Sequence, residues 1–158
     1  MTNNILAIYN VIEAMPVTVG SETPTVYDLA ELKNGVDMSA LPVRLLLPYS
    51  DVGNTAGRMA DFNIGSTSTI TWTILDRLLW QPVATGAGIE EFAEDIVSYI
   101  GEYLDAANTL SFSAIADRVN PVSIRARARA DIRYPATSAN VYVGVDVVWE
   151  IEEDDPPG

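Results

Sequence analysis

Residues 123–134 read SIRARARADIRY, and residues 140–153 read NVYVGVDVVWEIEE. In the first stretch Ile124, Ala126, Ala128, Ala130 and Ile132 alternate with Arg125, Arg127, Arg129, Asp131 and Arg133. In the second, Val141, Val143, Val145, Val147, Trp149 and Ile151 alternate with Tyr142, Asp146, Glu150 and Glu152. A period of two is the signature of a strand with one buried face. PATSAN, residues 135–140, supplies turn chemistry between them. The pair therefore predicts a C-terminal β-hairpin.

The charges suggest a register. If Tyr134 pairs with Val141, both apolar faces coincide, as a shared core requires. Arg129 then lies opposite Asp146, Arg125 opposite Glu150, Arg127 opposite Val148 and Arg133 opposite Tyr142. A slide of two residues in one direction would set Asp131 against Asp146, which is unfavourable. Exposed cross-strand pairs contribute only about 0.2–1 kcal/mol each. Half of the arginine row is thus expected to set the register, and exchanging the charges of Arg129 and Asp146 is expected to restore stability. Arg127 and Arg133 have no carboxylate partner inside this hairpin, so their charge is expected to face a neighbouring subunit or DNA.

The composition makes that row unusual. The chain has 158 residues, 9 Lys and Arg against 22 Asp and Glu, and a formal net charge of −13. Wrapping duplex DNA requires surplus positive charge, so that class is disfavoured. An acidic surface of a second copy is the favoured target for Arg127 and Arg133. Cysteine and histidine are absent. This removes disulfides, the usual zinc sites, thiol nucleophiles and histidine bases. Lys33 is the only lysine, and no spacing of Ser, carboxylate and lysine suggests a catalytic site, so a non-enzymatic protein without cofactor or metal is expected. No apolar run approaches the 18 residues or so of a membrane span, and the N-terminus lacks signal-peptide features. No membrane contact is expected.

Working outward, residues 3–15 predict a helix through Ile5, Ile8, Tyr9 and Ile12, ended by Pro16. Pro16 to Val19 suggests a short strand, residues 20–40 look irregular with a helical turn at Tyr27 to Leu32, and LPVRLLLPY, 41–49, predicts a strand. Residues 50–67, SDVGNTAGRMADFNIGST, read as one long polar loop. Its GNTAGR segment lacks the Gly-Lys-Ser/Thr ending of a phosphate loop. Within it Met59 and Phe62 are the expected anchors on a neighbouring subunit or tube. TITWTILDRLLW, 69–80, alternates at first and then turns apolar on both faces, which predicts a strand covered on both sides at its end. GIEEFAEDIVSYIGEYLDAAN, 88–108, carries Ile89, Phe92, Ile96, Tyr99, Ile100, Tyr103 and Ala107 on one helical stripe. Glu90 and Glu91 sit in its first turn, where the helix dipole favours them. The last residues, EEDDPPG, predict an acidic tail frayed into solvent.

The fold class expected is α+β: a mainly antiparallel sheet with two flanking helices and the C-terminal hairpin. Residues 1–152 are expected to form one domain and 153–158 a disordered tail. The leading helix, TITWTILDRLLW, GIEEFAEDIVSYIGEYL and the hairpin ending VDVVWEIEE together resemble the tail terminator proteins of long-tailed bacteriophages. The resemblance covers residues 1–152 and rests on element order and texture. It implies a structural virion protein forming a hexameric ring on the tail tube at the head–tail junction, assembled in the host cytoplasm. It implies contacts with the tail tube protein and the head-side connector, with transient contact to packaged DNA left open. It supplies no catalytic residues. The alternative is another neck component, an adaptor or stopper, or a capsid-associated protein.

Overall fold

The computed structural model describes residues 4–27, 41–47, 60–65, 68–83, 88–112, 115, 118–134 and 140–155. In chain order these give α1 (Ile5–Glu13), β1 (Thr25–Tyr27), β2 (Val43–Leu47), β3 (Ala60–Ile64), β4 (Ser68–Pro82) and α2 (Ile89–Glu91). A π-helical segment (Phe92–Val97), α3 (Ser98–Thr109), β5 (Val119–Arg133) and β6 (Val141–Asp155) follow. The class is α+β, as the sequence predicts. One sheet of six strands runs β1-β2-β4-β6-β5. Only β1 and β2 are parallel; every other neighbouring pair is antiparallel. β3 and β2 share one edge of β4, β3 beside its first half and β2 beside its second.

Both helical regions pack on the same sheet face. Ile8 and Ile12 of α1, Ile96 of the π segment, and Tyr99 and Tyr103 of α3 meet Ile70, Ile74, Leu78, Val145, Val147 and Trp149. Trp149 is fully buried, and Tyr103 and Phe112 meet it edge-on at 6.2 and 6.0 Å. Truncating Trp149 to alanine would cost about 3–5 kcal/mol. A second apolar cluster of Val43, Leu45, Leu79, Ile132 and Tyr142 lies on the opposite face. β4 is therefore buried on both faces from Trp72 to Leu79, as its apolar end predicts.

α1 is held at both ends by charges from the sheet. At its start the Asn4 backbone N–H and side-chain amide donate to the Glu153 carboxylate at 3.2 and 2.7 Å. At its end the Arg44 guanidinium donates to the Ile12 and Met15 carbonyls at 3.2 and 3.4 Å. A helix leaves N–H groups bare at one end and carbonyls bare at the other, and its dipole favours an anion and a cation there respectively.

Several expectations need correction. β6 continues through Asp155, and Glu153 is 1 % exposed. The expected frayed tail thus begins inside the sheet, because Glu153 serves Asn4 and the Trp72 indole N–H at 3.1 Å. Residues 60–64, expected as part of the long loop, form β3, because they complete a hairpin ladder on the free edge of β4. The remaining loop residues through Met59, and the turn of helix expected after Tyr27, lie outside the described residues; Tyr27 itself ends β1. Val19 makes an isolated bridge to Glu22 rather than a strand.

The hairpin register also differs. Arg125 lies opposite Val148, Arg127 opposite Asp146, Arg129 opposite Gly144 and Arg133 opposite Val141. This is a slide of two residues from the expected pairing over most of the strand. An irregularity between Arg129 and Ile132 then reverses the alternation. Ile132 thereby joins the second apolar cluster instead of facing the helices with Ile124, Ala126 and Ala128. A bulge has this effect because one extra residue shifts the pleat by half a period. Burial of Ile132 on that second face accompanies the shift.

Candidate interaction surface and the charged networks behind it

The sheet carries two saturated ionic networks, one on each face. On the helix face Arg44 and Asp76 are both 1 % exposed. Arg44 Nε donates to Asp76 Oδ1 at 3.2 Å, and its Nη2 donates to Asp76 Oδ2. The Tyr103 hydroxyl donates to the same Oδ2 at 2.6 Å, and the Trp149 indole N–H donates to the Tyr103 oxygen at 2.7 Å. The guanidinium carbon lies 5.7 Å from the Tyr103 ring centre. Burial works against the Arg44 charge, but the Asp76 carboxylate outweighs it and raises the pKa further. Burial, reinforced by Asp76, pushes the Tyr103 hydroxyl well up. The chain indole–phenol–carboxylate–guanidinium–helix end is thus a locked structural unit linking β2, β4, β6, α3 and α1. Each charge sits among apolar neighbours, where an unpaired partner would be costly.

On the other face Arg77 grips Asp146 with both arms of its fork, Nε to Oδ1 at 2.7 Å and Nη2 to Oδ2 at 2.9 Å. Arg129 adds Nη1 to Oδ2 at 2.8 Å and reaches Asp131 with Nε at 2.9 Å. The Asp131 hydrogen bond is the chief reason the Arg129 pKa is raised, and it holds the Asp131 carboxyl below its ordinary value. The expected pairs Arg129–Asp146 and Arg125–Glu150 both form, the latter at 3.8 Å. They form diagonally rather than directly across. Diagonal neighbours lie about 7–8 Å apart at the backbone and are within reach of arginine. Hairpin charges alone therefore cannot separate registers two residues apart.

Sequence reasoning missed Arg44, Asp76 and Arg77. The signal existed: Arg44 is a lone charge inside VRLLL, and Asp76 and Arg77 are two adjacent charges inside ILDRLLW, stretches otherwise apolar on both faces. A charge there must be buried, and a buried charge must be paired.

What remains outward is the candidate surface. Arg125, Arg127 and Arg133 are exposed along β5, the outer strand of the sheet. Arg127 has no ion pair among the described residues, although it lies directly opposite Asp146. Arg77 and Arg129 already occupy that carboxylate. Arg133 ends β5 and has a partner of its own. Phe62 is 66 % exposed and Ile64 84 % exposed on β3, at the other side of the sheet. Met59, the second expected anchor, lies outside the described residues. The structure does not bring Phe62 and the arginines together within one chain: β4 and β6 stand between β3 and β5. Such an arrangement suits macromolecular contact at two separate edges.

No protein-family model matches the chain, and no curated protein sequence matches it.

Proposed function

We propose that this chain is a structural protein of a phage neck, a tail terminator that closes as a ring on the end of the tail tube. The observation that carries this reading is the pair of open edges. Among the described residues β5 bonds only to β6, and β3 only to β4, and the two edges bear different chemistry. β5 presents exposed arginines and β3 presents exposed Phe62 and Ile64. Two unlike edges favour head-to-tail association, which forms a ring when the rotation closes. The element order supports the same reading: a leading helix, a long central strand, an amphipathic helical region and a long terminal hairpin are the features of the resemblance. In this role the partners are further copies of the chain, the tail tube protein and the head-side connector, and the arginine face carries contact rather than catalysis.

The test is native mass and particle imaging of the purified chain with and without tail tubes. Six copies capping the tube end is the expected result. A strictly two-fold dimer in the assembled particle, or no affinity for tubes, refutes the proposal. Density at the head side alone would instead identify an adaptor or stopper. Arg127→Gln, which sets no like charge opposite Asp146, should leave the unfolding free energy within about 0.5 kcal/mol of wild type, yet weaken assembly most at low salt, where screening is least. Assembly equal to wild type at every salt concentration would make the arginine row only a solvated sheet face.

A further inference from the structure

We propose that the β3 edge of one copy pairs antiparallel with the β5 edge of the next, placing Phe62 opposite Ala126 and Asp61 opposite Arg127. The inference rests on the ring reading and names the surface that makes the ring.

The strand directions come first. β4 runs antiparallel to both β3 and β6, and β6 runs antiparallel to β5. β3 therefore runs opposite to β5 within one copy. Copies related by rotation about a ring axis to which the strands are inclined keep the sheet's sense from one copy to the next, so β3 of one meets β5 of the next as an antiparallel neighbour. A free strand edge is a row of unpaired N–H and C=O groups, and a second strand is its natural complement.

The faces then match. Phe62 lies opposite Ile70 and Asp61 opposite Thr71 in the β3–β4 ladder. Ile70 belongs to the helix-side core, so Phe62 and Ile64 sit on the helix side and Asp61 on the arginine side. On β5 Ile124, Ala126 and Ala128 sit on the helix side, partly buried, and Arg125 and Arg127 on the other. In a continuous sheet Phe62 and Ile64 therefore extend the apolar layer, and Asp61 joins the arginine face. With Phe62 opposite Ala126, the large ring meets a small neighbour and Ile64 meets Ile124. Asp61 meets Arg127, the arginine that makes no ion pair among the described residues. A slide of two in one direction would set Asp61 on Arg129, whose guanidinium already holds Asp146 and Asp131, and in the other on Arg125, which already pairs with Glu150. For a chain of net charge −13, a contact that joins cation to carboxylate also limits the repulsion between copies.

The offset is compatible with closure. Ala126 is level with Val147 and so with Asp76, whereas Phe62 is level with Ile70, six residues earlier on β4. That is about 20 Å along the strands, against about 19 Å for the four strand spacings from β3 to the next copy's β3. The ratio corresponds to strands tilted by about 45° from the ring axis, the upper end of the range common in closed sheets.

The natural chain has no cysteine, which makes disulfide trapping clean. Full-length Phe62→Cys and Ala126→Cys proteins are mixed and mildly oxidised. Directly opposed antiparallel residues lie about 4.5–5.5 Å apart at Cα, within reach of a disulfide. The mixture should cross-link and neither protein alone should. A cross-link in Phe62→Cys or Ala126→Cys alone signals two-fold pairing and overturns the proposal. A second arm covers any variant that folds poorly. Asp61→Arg and Arg127→Asp each place like charges at the contact and should lower association at least about tenfold at low salt. Mixed, each wild-type edge meets its natural partner and each altered edge meets its complement, so association should return. A wild type that forms rings alongside a mixture no better than either variant refutes the edge pairing alone. A wild type that stays a single copy even on tail tubes refutes the ring reading with it.

Discussion

Replacing Arg44 by methionine keeps much of the side-chain volume and removes the cation. Asp76 would keep the Tyr103 hydroxyl at 2.6 Å and lose both guanidinium donors. The Ile12 carbonyl would keep the Met15 N–H at 3.2 Å, so the end of α1 is only partly stripped. The dominant cost is a carboxylate left 1 % exposed without its countercharge. Breaking a buried pair in this way costs about 3–5 kcal/mol, a large part of a typical total of about 5–15 kcal/mol. Urea unfolding followed by tryptophan fluorescence should show the midpoint falling by about 2 M with an unchanged slope, taking a slope near 2 kcal/mol per M. Adding Asp76→Asn should recover at least about 1 kcal/mol by removing the charge. A cost below about 1 kcal/mol, the size of a surface pair, would mean that water reaches Asp76 and the burial argument is wrong.

Gly144→Ala should cost about 3 kcal/mol or more, because a Cβ there would run into the Leu78 carbonyl oxygen, which is backbone and cannot step aside; a thermal midpoint close to wild type would show that the β4 irregularity can relax. Exchanging charges in Arg129→Asp with Asp146→Arg should fail to restore stability, contrary to the expectation from the hairpin alone, since Asp146 also holds Arg77 in a two-armed bond; recovery of the single-variant losses would refute the shared carboxylate. Tyr9, Tyr99 and Tyr103 keep their protons when folded because burial raises their pKa, with Asp76 adding to the effect on the last two. The unfolded chain releases those protons near the ordinary value of about 10, so stability should fall as pH rises beyond it, read as a declining urea midpoint; full ionisation of these tyrosines in a still-folded protein would contradict their placement.

Much of this molecule is legible as pattern. The period of two in SIRARARADIRY, TITWTILDRLLW and NVYVGVDVVWEIEE gave β5, β4 and β6, because a strand with one wet face must alternate. The stripe through Ile96, Tyr99 and Tyr103 gave the face that α3 and its preceding turn bury. Both ion pairs expected within the hairpin are present. Local pattern stops where a choice depends on a third element. The hairpin register has Asp146 bound by Arg77 of β4 and Ile132 drawn to the far cluster, and neither contact exists in the hairpin alone. Glu153 reads as the start of an acidic tail, yet folding brings it to Asn4, 149 residues away, and to the Trp72 indole. Arg44 and Asp76 are separated by 32 residues, and their pairing follows from β2 lying beside β4 with both charges turned toward α1 and α3. Alternation is a property of neighbours along the chain, so the sequence alone determined β4, β5 and β6 and, up to the irregularity before Ile132, the face each buries. Pairing of buried charge is a property of neighbours in space, so only the assembled sheet decided which carboxylate each arginine serves and which arginine is left facing outward.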